Sequence, residues 1–395
     1  MPATERLYFD DPLLLTFTAR VVAHASYGGA PSAVLDRTAF YPEAGGQMAD
    51  RGALAGHAIA DVQADDAGVV HHVLAGGALP AIGDTVEGTV DRARRRVHMA
   101  LHTGQHMLSR ALADVASAET VSSRLGESAC TIDLDLETVD ERRVAEAEDL
   151  VNAVVDDDVP VRAWFPSAEE LAALPLRRAP KVKEAVRVVA VGDFDFTPCG
   201  GTHCVRSAEV GLVRVSGVER YKGRARVLFT AGKRARAELW QAAGVLGDLA
   251  KAFTCGPLDV PAGVDKIRRE LAEARDALGR VRGRFADALH TTLAAQAAAT
   301  GRAVAVIDDA GPDLLRALAT RITAAPDAVA FLAGRGPDGL AVLVARGSAS
   351  RFDCGAFLKS AAAQAGGRGG GRPERAEGRL PGDADWAALV DAARP

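Results

Sequence analysis

Cysteine is scarce in this chain: five residues in 395, an odd number and widely scattered. That excludes the disulfide-dense scaffold of a small secreted domain. Aromatic residues make up only 5%, so the cores must be built mainly from aliphatic side chains. No apolar run approaches the ~20 residues of a membrane-spanning helix. The opening residues, MPATERLYFDDP, carry charge at once and show no apolar signal core, so a cytoplasmic location is expected, with no membrane partner. An excess of basic charge is also missing: 47 Lys and Arg against 52 Asp and Glu give a net −5. This excludes nucleic-acid binding over the whole surface and leaves room only for local basic patches.

What is present fits a globular protein of two or three domains, with 48% hydrophobic and 25% charged residues. Residues 1–90 read as short strands between Gly, Pro and Asp turns, in a small β-barrel or sandwich. Residues 91–231 mix helix and strand. DRARRRVHMALHTGQHMLSRALADVA is helical, ACTIDLDL alternates like a strand, and TVDERRVAEAEDLVNAVVDDD opens with a cap-like Thr138 and helical spacing. Residues 232–300 are rich in Ala, Arg and Glu, broken into two helical pieces by Pro257 and Pro261. The second is a long charged helix, one arm of a coiled coil. Residues 301–395 read as a small α/β domain in which AVAVID and AVAFLAG are buried strands, DLLRALATRIT is a helix and GGRGGGRPERAEG is a Gly-rich loop.

Two short stretches concentrate chemistry. HTGQH places His102 and His106 four apart in a helical segment, so both project from one face. PCGGTHC repeats that separation with Cys199 and His203 beside a Gly-Gly pair that lets the backbone bend. Three imidazoles and one thiol suit tetrahedral zinc. The second stretch therefore reads as half of a Zn2+ site and not as a disulfide. A zincin would need Glu directly after the first histidine. Thr103 stands there, which argues against a metalloprotease. A Cys199–His203 nucleophile pair ranks lower because it leaves the helical histidines unexplained. Cys204 reads as packing, as do Cys130, Cys255 and Cys354. His24, His57, His71, His72, His98 and His290 read as surface or satisfied core residues.

At this point the chain resembles a known family. HTGQH followed by PCGGTHC is similar to the metal signature of the alanyl-tRNA synthetase editing domain and of free-standing alanyl-tRNA editing proteins of the long form. TAFYPEAGGQMADRG, VVHHVL and GLVRVSGVERYKGRARVLFTAG fit the same pattern, and GGRGGGRPERAEG resembles the Gly-rich loop of the synthetase's last domain, also found attached to DHH-type phosphoesterases. The resemblance covers nearly the whole chain. It implies an α+β multidomain protein: an N-terminal β-barrel (1–90), a zinc-binding editing domain (91–231), a helical arm (232–300) and a C-terminal Gly-rich α/β domain (301–395). It implies hydrolysis of tRNA(Ala) mischarged with serine or glycine, with Zn2+ on His102, His106, Cys199 and His203. The chain runs from residue 1 straight into the barrel segment and shows no ATP-binding stretch, so editing without aminoacylation is expected. The synthetase commonly has Thr before the second metal histidine, where this chain has Gln105. A Gln of the following strand corresponds to Ser123 or nearby, so the groups sensing the serine hydroxyl have exchanged places.

The chemistry of the ester sets what to look for. An aminoacyl ester is already activated, so hydrolysis needs position, a water and charge stabilisation more than a strong nucleophile. A site with four protein ligands resembles a structural zinc, so the catalytic reading requires one exchangeable ligand, Cys199 first. Thr38, Gln47 and Gln105 are candidates to bind the serine hydroxyl, whose absence in alanine would leave their polar groups unpaired. Gly45 and Gly46 would let the backbone approach the aminoacyl group. RNA contact is expected from Arg92, Arg94, Arg95 and Arg96, from Arg177, Arg178, Lys181 and Lys183, and from Arg220, Lys222, Arg224 and Arg226. Arg368 and Arg372 would hold phosphates beside exposed glycine N–H groups, and a homodimer would form through the C-terminal region. A binding module with a structural metal is the alternative. A phosphoesterase is disfavoured, since VHH at 70–72 lacks the Asp of Asp-His-His.

Overall fold

The computed structural model describes residues 2–180, 182 and 184–393, so Lys181 and Lys183 of the expected basic cluster lie outside the described residues. The chain is a mixed α+β multidomain protein that divides into two compact units, residues 1–248 and 249–395.

The first unit begins with β1 (Glu5–Arg6), paired in parallel with β4 (Arg37–Thr38). Six strands then close on themselves. β2 (Thr16–Tyr27) pairs with β3 (Ala30–Leu35), which leads through β7 (Val70–Leu74), β6 (His57–Ala64) and β5 (Gly52–Leu54) to β8 (Thr85–Val90) and back to β2. Burial alternates along β2 and β8, as expected when one face of each strand fills an interior. Phe17, Val21, Leu35, Phe40, Leu54, Val62 and Val90 fill it.

Helix α1 (Arg92–Ala116) follows directly, capped by the Asp91 carboxylate on the N–H groups of Ala93 and Arg94. It is buried without a break from His98 to Ser109, the pattern of a helix enclosed on all sides. Its enclosure comes from α2 (Glu141–Asp156) and from a four-stranded sheet in the order β14 (Val213–Tyr221), β15 (Arg224–Ala231), β10 (Cys130–Leu134) and β9 (Thr120–Leu125). The cap of α2 is Asp140, not Thr138, because the Asp140 carboxylate reaches the Arg142 N–H. A third sheet joins β11 (Val161–Trp164), β12 (Val188–Val191) and β13 (Asp195–Pro198), with α3 (Ala168–Ala173) between its first two strands. A buried ion pair anchors α1 to the ring. Arg95 donates to both Asp50 oxygens, and Asp50 also accepts from the Tyr41 N–H at 2.7 Å. Arg95 is therefore a structural residue and not an RNA contact, since only 1% of it is exposed. Arg220 and Arg226 are likewise ion-paired, with Glu137 and Asp133.

Helix α4 (Gly232–Phe253) contains the division between the units. The Pro257 turn separates it from α5 (Val260–Thr300), where Pro261 sits harmlessly in the first turn. Ile267, Leu271, Leu278, Val281 and Phe285 form an exposed stripe along α5 at heptad spacing. The sheet of the second unit runs β16 (Arg302–Asp308), β17 (Val329–Gly336), β18 (Gly339–Arg346), β20 (Arg375–Leu380), β19 (Arg368–Arg372). Alternate residues of β17 face opposite cores. Ala330 and Leu332 meet α5 and α6 (Pro312–Ile322), whereas Phe331 and Ala333 meet α7 (Cys354–Gln364) and α8 (Trp386–Asp391). AVAVID differs from expectation: β16 is an edge strand and only half buried. The Gly-rich segment is not a loop. Its residues form the β19–β20 hairpin, with Arg372 opposite Arg375. The glycines serve close packing, since a Cβ on Gly369 would stand 3.0 Å from Leu358 of α7 and one on Gly355 would stand 2.6 Å from the Gly371 carbonyl.

Candidate metal centre and its cavity

Four ligand atoms from two distant segments converge inside the first unit. The donor atoms of His102, His106, Cys199 and His203 all lie within 4.8 Å of one another. Cys199 Sγ is 3.4 Å from Nε2 of both His102 and His203. Zinc bond lengths place tetrahedral ligand atoms about 3.3–3.6 Å apart, so the donor set and spacing fit a divalent ion such as zinc. The helical period of α1 supplies one pair, and the turn after β13 supplies the other. That turn needs Gly201, where a Cβ would stand 2.2 Å from Cε1 of His102, whereas one on Gly200 would meet nothing within 4 Å.

Each imidazole turns its second nitrogen toward a protein group, as metal-binding histidines do. His102 Nδ1 lies 2.7 Å from the Gln47 amide oxygen. Gln47 is fixed in turn, donating to Thr202 Oγ1 at 2.8 Å and accepting from the Thr202 N–H at 3.2 Å. His203 Nδ1 lies 3.2 Å from Thr103 Oγ1, which also accepts from the Cys204 N–H. His106 Nδ1 faces Asp195 Oδ2 at 3.6 Å, and Asp195 is held by Arg177 at 2.9 Å and by the Thr197 hydroxyl at 2.8 Å. All three rings thus present Nε2 to the centre.

Burial decides the electrostatics. It lowers His102 to about 3, helped by Arg178 and Arg187, and holds His106 and His203 well below the usual imidazole range, helped by the neighbouring histidines. The rings are therefore neutral and ready to ligate at neutral pH. Burial raises the Cys199 thiol, against the opposing pull of the Gly201 N–H and of Arg187 and Arg178. A cation at the centre is what would favour its thiolate.

The cluster opens on a cavity of about 640 Å3 whose wall includes His102 and Cys199 but neither His106 nor His203. Gln105 and Ser123 both line it, as does Gly45. Gln105 donates to Ser109 Oγ at 2.7 Å. Gly45 and Gly46 are the centre of a tight turn with Ala44 and Gln47 as its hydrogen-bonded ends, and both have positive φ. Gly46 does not face the cavity; it lies against β9, where a Cβ would stand 2.5 Å from the Ser123 carbonyl. Gln47 and Thr38 are also outside the cavity wall. Gln47 acts on His102, and Thr38 is buried in the ring with its hydroxyl 2.9 Å from His72 Nε2. Arg368 and Arg372 belong to the second unit, on β19.

Sequence reasoning missed most of the wall. Tyr8, Phe9, Tyr41, Phe165, Arg6 and Arg187 line the cavity with Arg178. Tyr41 had a signal, since it belongs to the FYPEAGGQ stretch. Asp195 did too, standing four residues before Cys199. Arg187 had none. It reaches the carbonyls of Cys199 at 3.2 Å and Gly201 at 2.9 Å only because β12 and β13 pair.

Comparison with known proteins agrees with this architecture. Residues 186–228 match the family described as threonyl and alanyl tRNA synthetase second additional domain, residues 300–394 match the DHHA1 domain, and residues 9–94 match a family described as tRNA synthetases class II (A). Among curated relatives, the alanyl-tRNA editing protein AlaX-L of Pyrococcus horikoshii is 35% identical over 239 residues, 58% of this chain and 59% of that protein. The alanine–tRNA ligase of Archaeoglobus fulgidus is 31% identical over 405 residues, 99% of this chain and 44% of the ligase. That of Halorubrum lacusprofundi is 34% identical over 314 residues, 76% of this chain and 33% of the ligase. The chain thus spans from a third to about three fifths of the length of these relatives. No helix among the described residues is long and apolar enough to cross a membrane. With its metal-ligand cluster inside the first unit and a DHHA1 match over the second, the chain is an AlaX-L-like relative of the alanyl-tRNA editing proteins.

Proposed function

We propose that this chain is a trans-editing hydrolase that cleaves the ester of tRNA(Ala) carrying serine, and also glycine, without aminoacylating tRNA itself. The observation that carries this reading is the four-donor cluster, two of whose members face a cavity that also presents Gln105 and Ser123. A Zn2+ ion held by His102, His106, Cys199 and His203 would supply Lewis acidity at the ester. The protein's own groups do the rest. Gln47 and Thr103 hold His102 and His203 in ligating orientation, and Asp195 faces His106 at 3.6 Å without a hydrogen bond. Gln105 and Ser123 offer polar groups to a serine hydroxyl, beside the aromatic wall of Tyr8, Phe9, Tyr41 and Phe165. Preference for serine over alanine follows from the pairs those polar groups would lack; the same effect does not separate glycine from alanine, since neither carries a hydroxyl. The exposed α5 stripe supports a homodimer through the C-terminal region, and Arg368 and Arg372 on the glycine hairpin are proposed to contact tRNA(Ala).

One observation favours a second reading. Four protein donors complete a tetrahedral shell, as in structural zinc sites, which suits a tRNA-binding module without hydrolysis. Deacylation of Ser-tRNA(Ala), Gly-tRNA(Ala) and Ala-tRNA(Ala), assayed side by side with metal content, separates the two. Hydrolysis of the first two with alanine spared is expected. About one zinc per chain with no ester cleavage would leave the binding module.

A further inference from the structure

His98 stands one helical turn before the metal ligand His102 on α1 and takes no part in the centre. The ring is only 3% exposed, and its Nδ1 is enclosed without a hydrogen-bond partner. Buried ring nitrogens are ordinarily satisfied, so this one asks for a group that the chain does not itself supply. Burial lowers His98 to about 4, helped by Arg94, so the imidazole is neutral at neutral pH and keeps one N–H to donate. It lines a pocket of about 280 Å3 with Arg94, Gly126, Glu127, Lys233 and Arg234. Among the described residues, none lines both this pocket and the metal cavity.

The pocket is cationic. Its described lining holds three bases, Arg94, Lys233 and Arg234, against one acid, Glu127. That acid is already claimed, by Arg94 at 3.1 Å and by Arg51 at 3.7 Å. Arg234 gives one N–H to the Gly126 carbonyl at 2.8 Å, and neither Arg234 nor Lys233 has an ion pair among the described residues. Both stand in the first turn of α4, a helix of 22 residues whose N-terminal end adds positive charge on the same side. This excess would repel a metal ion and attract an anion. Donors that arrive from two helices, α1 and α4, suit an ion with acceptor oxygens in several directions, a phosphate more than a planar carboxylate.

We propose that His98, Lys233 and Arg234 form an anion site for a phosphate group, separate from the metal cavity, in which the imidazole and the two cations donate to different phosphate oxygens. Inorganic phosphate and a phosphodiester of an RNA backbone offer the same chemistry to these donors. The site goes beyond the editing reading and holds whether or not the chain cleaves an ester.

The test is titration of the zinc-loaded full chain with inorganic phosphate, followed by calorimetry and by nitrogen–proton spectra of histidine-labelled protein. Saturable binding in the millimolar range or tighter should shift the His98 resonance, which is assigned by its loss in His98→Asn. Lys233→Gln, on an exposed side chain, should weaken phosphate binding about tenfold, the loss of one charge-assisted hydrogen bond. Arg236→Gln removes the same charge from an exposed position of α4 outside the pocket and should leave the affinity unchanged. No saturable binding at millimolar phosphate, an unmoved His98 resonance, or equal weakening by Lys233→Gln and Arg236→Gln would overturn the proposal. Acetate shifting His98 as strongly as phosphate would overturn it too, since the site would then not select a phosphate. A short single-stranded RNA identifies the source of the group. Displacement of phosphate from His98 by the RNA assigns the site to a backbone phosphodiester, and RNA that leaves phosphate in place assigns it to the free ion.

Discussion

Gln47 holds His102 from 55 positions away in sequence: its amide oxygen accepts from Nδ1 at 2.7 Å, while its amide nitrogen is tied to Thr202. A loop of the strand ring thereby fixes the tautomer of a ring on α1. Loss of such a support typically costs 10–100-fold in metal affinity or activity. Gln47→Ala should therefore weaken zinc binding by about that factor, and deacylation of seryl and glycyl substrates should fall together. Competition with a chromophoric chelator measures the first effect. Unchanged zinc affinity would assign Gln47 a different role.

Adjacent glycines should respond oppositely to the same substitution. Gly201→Ala drives a methyl into the His102 ring, whereas Gly200→Ala enters open space. Zinc content and hydrolysis should collapse in the first variant and remain near normal in the second. Comparable zinc content in both purified variants would contradict the close approach at Gly201.

Hydroxyl sensing is expected at Gln105 and not at Thr38. Gln105 lines the cavity and Thr38 does not. Gln105→Ala should keep zinc and slow Ser-tRNA(Ala) hydrolysis more than Gly-tRNA(Ala) hydrolysis, with the differential of one unsatisfied buried group, about 1–3 kcal/mol. Thr38→Val should lower stability and leave the ratio of the two substrates unchanged. Steady-state kinetics on both substrates decide, and an equal slowing of both by Gln105→Ala would remove that residue from specificity.

His72 gives the ring an acid-sensitive point outside the metal centre. Complete burial lowers it from 6.5 to about 4, against a hydrogen bond to the Ala33 carbonyl that raises it. The folded form thus binds fewer protons than the unfolded form between those values. Its contribution is full above pH 6.5 and is lost as pH falls toward 4, on the order of 3 kcal/mol in total. His72→Gln should flatten the stability–pH curve across that window in urea denaturation. A curve as steep as that of the unsubstituted protein would place the acid sensitivity elsewhere.

The sequence by itself determined the local half of the site. A four-residue step on a helix puts His102 and His106 on one face, and Gly-Gly permits the bend between Cys199 and His203. Both follow from backbone geometry over one or two turns, and so do the helices of residues 92–116 and 260–300. Tertiary structure decided what surrounds the cluster. Thr103, useful in sequence only for excluding a protease, became the partner of His203 once the two segments met, and Arg187 became a cavity wall residue through the pairing of β12 with β13. Such contacts depend on strand register and loop closure across many residues, which no short-range pattern encodes. The Gly-rich segment shows the limit from the other side. Its composition signals flexibility, yet Gly369 leaves room for Leu358 of α7, and Gly371 sits against the Arg375 carbonyl of the paired strand, requirements that exist only after these elements have formed.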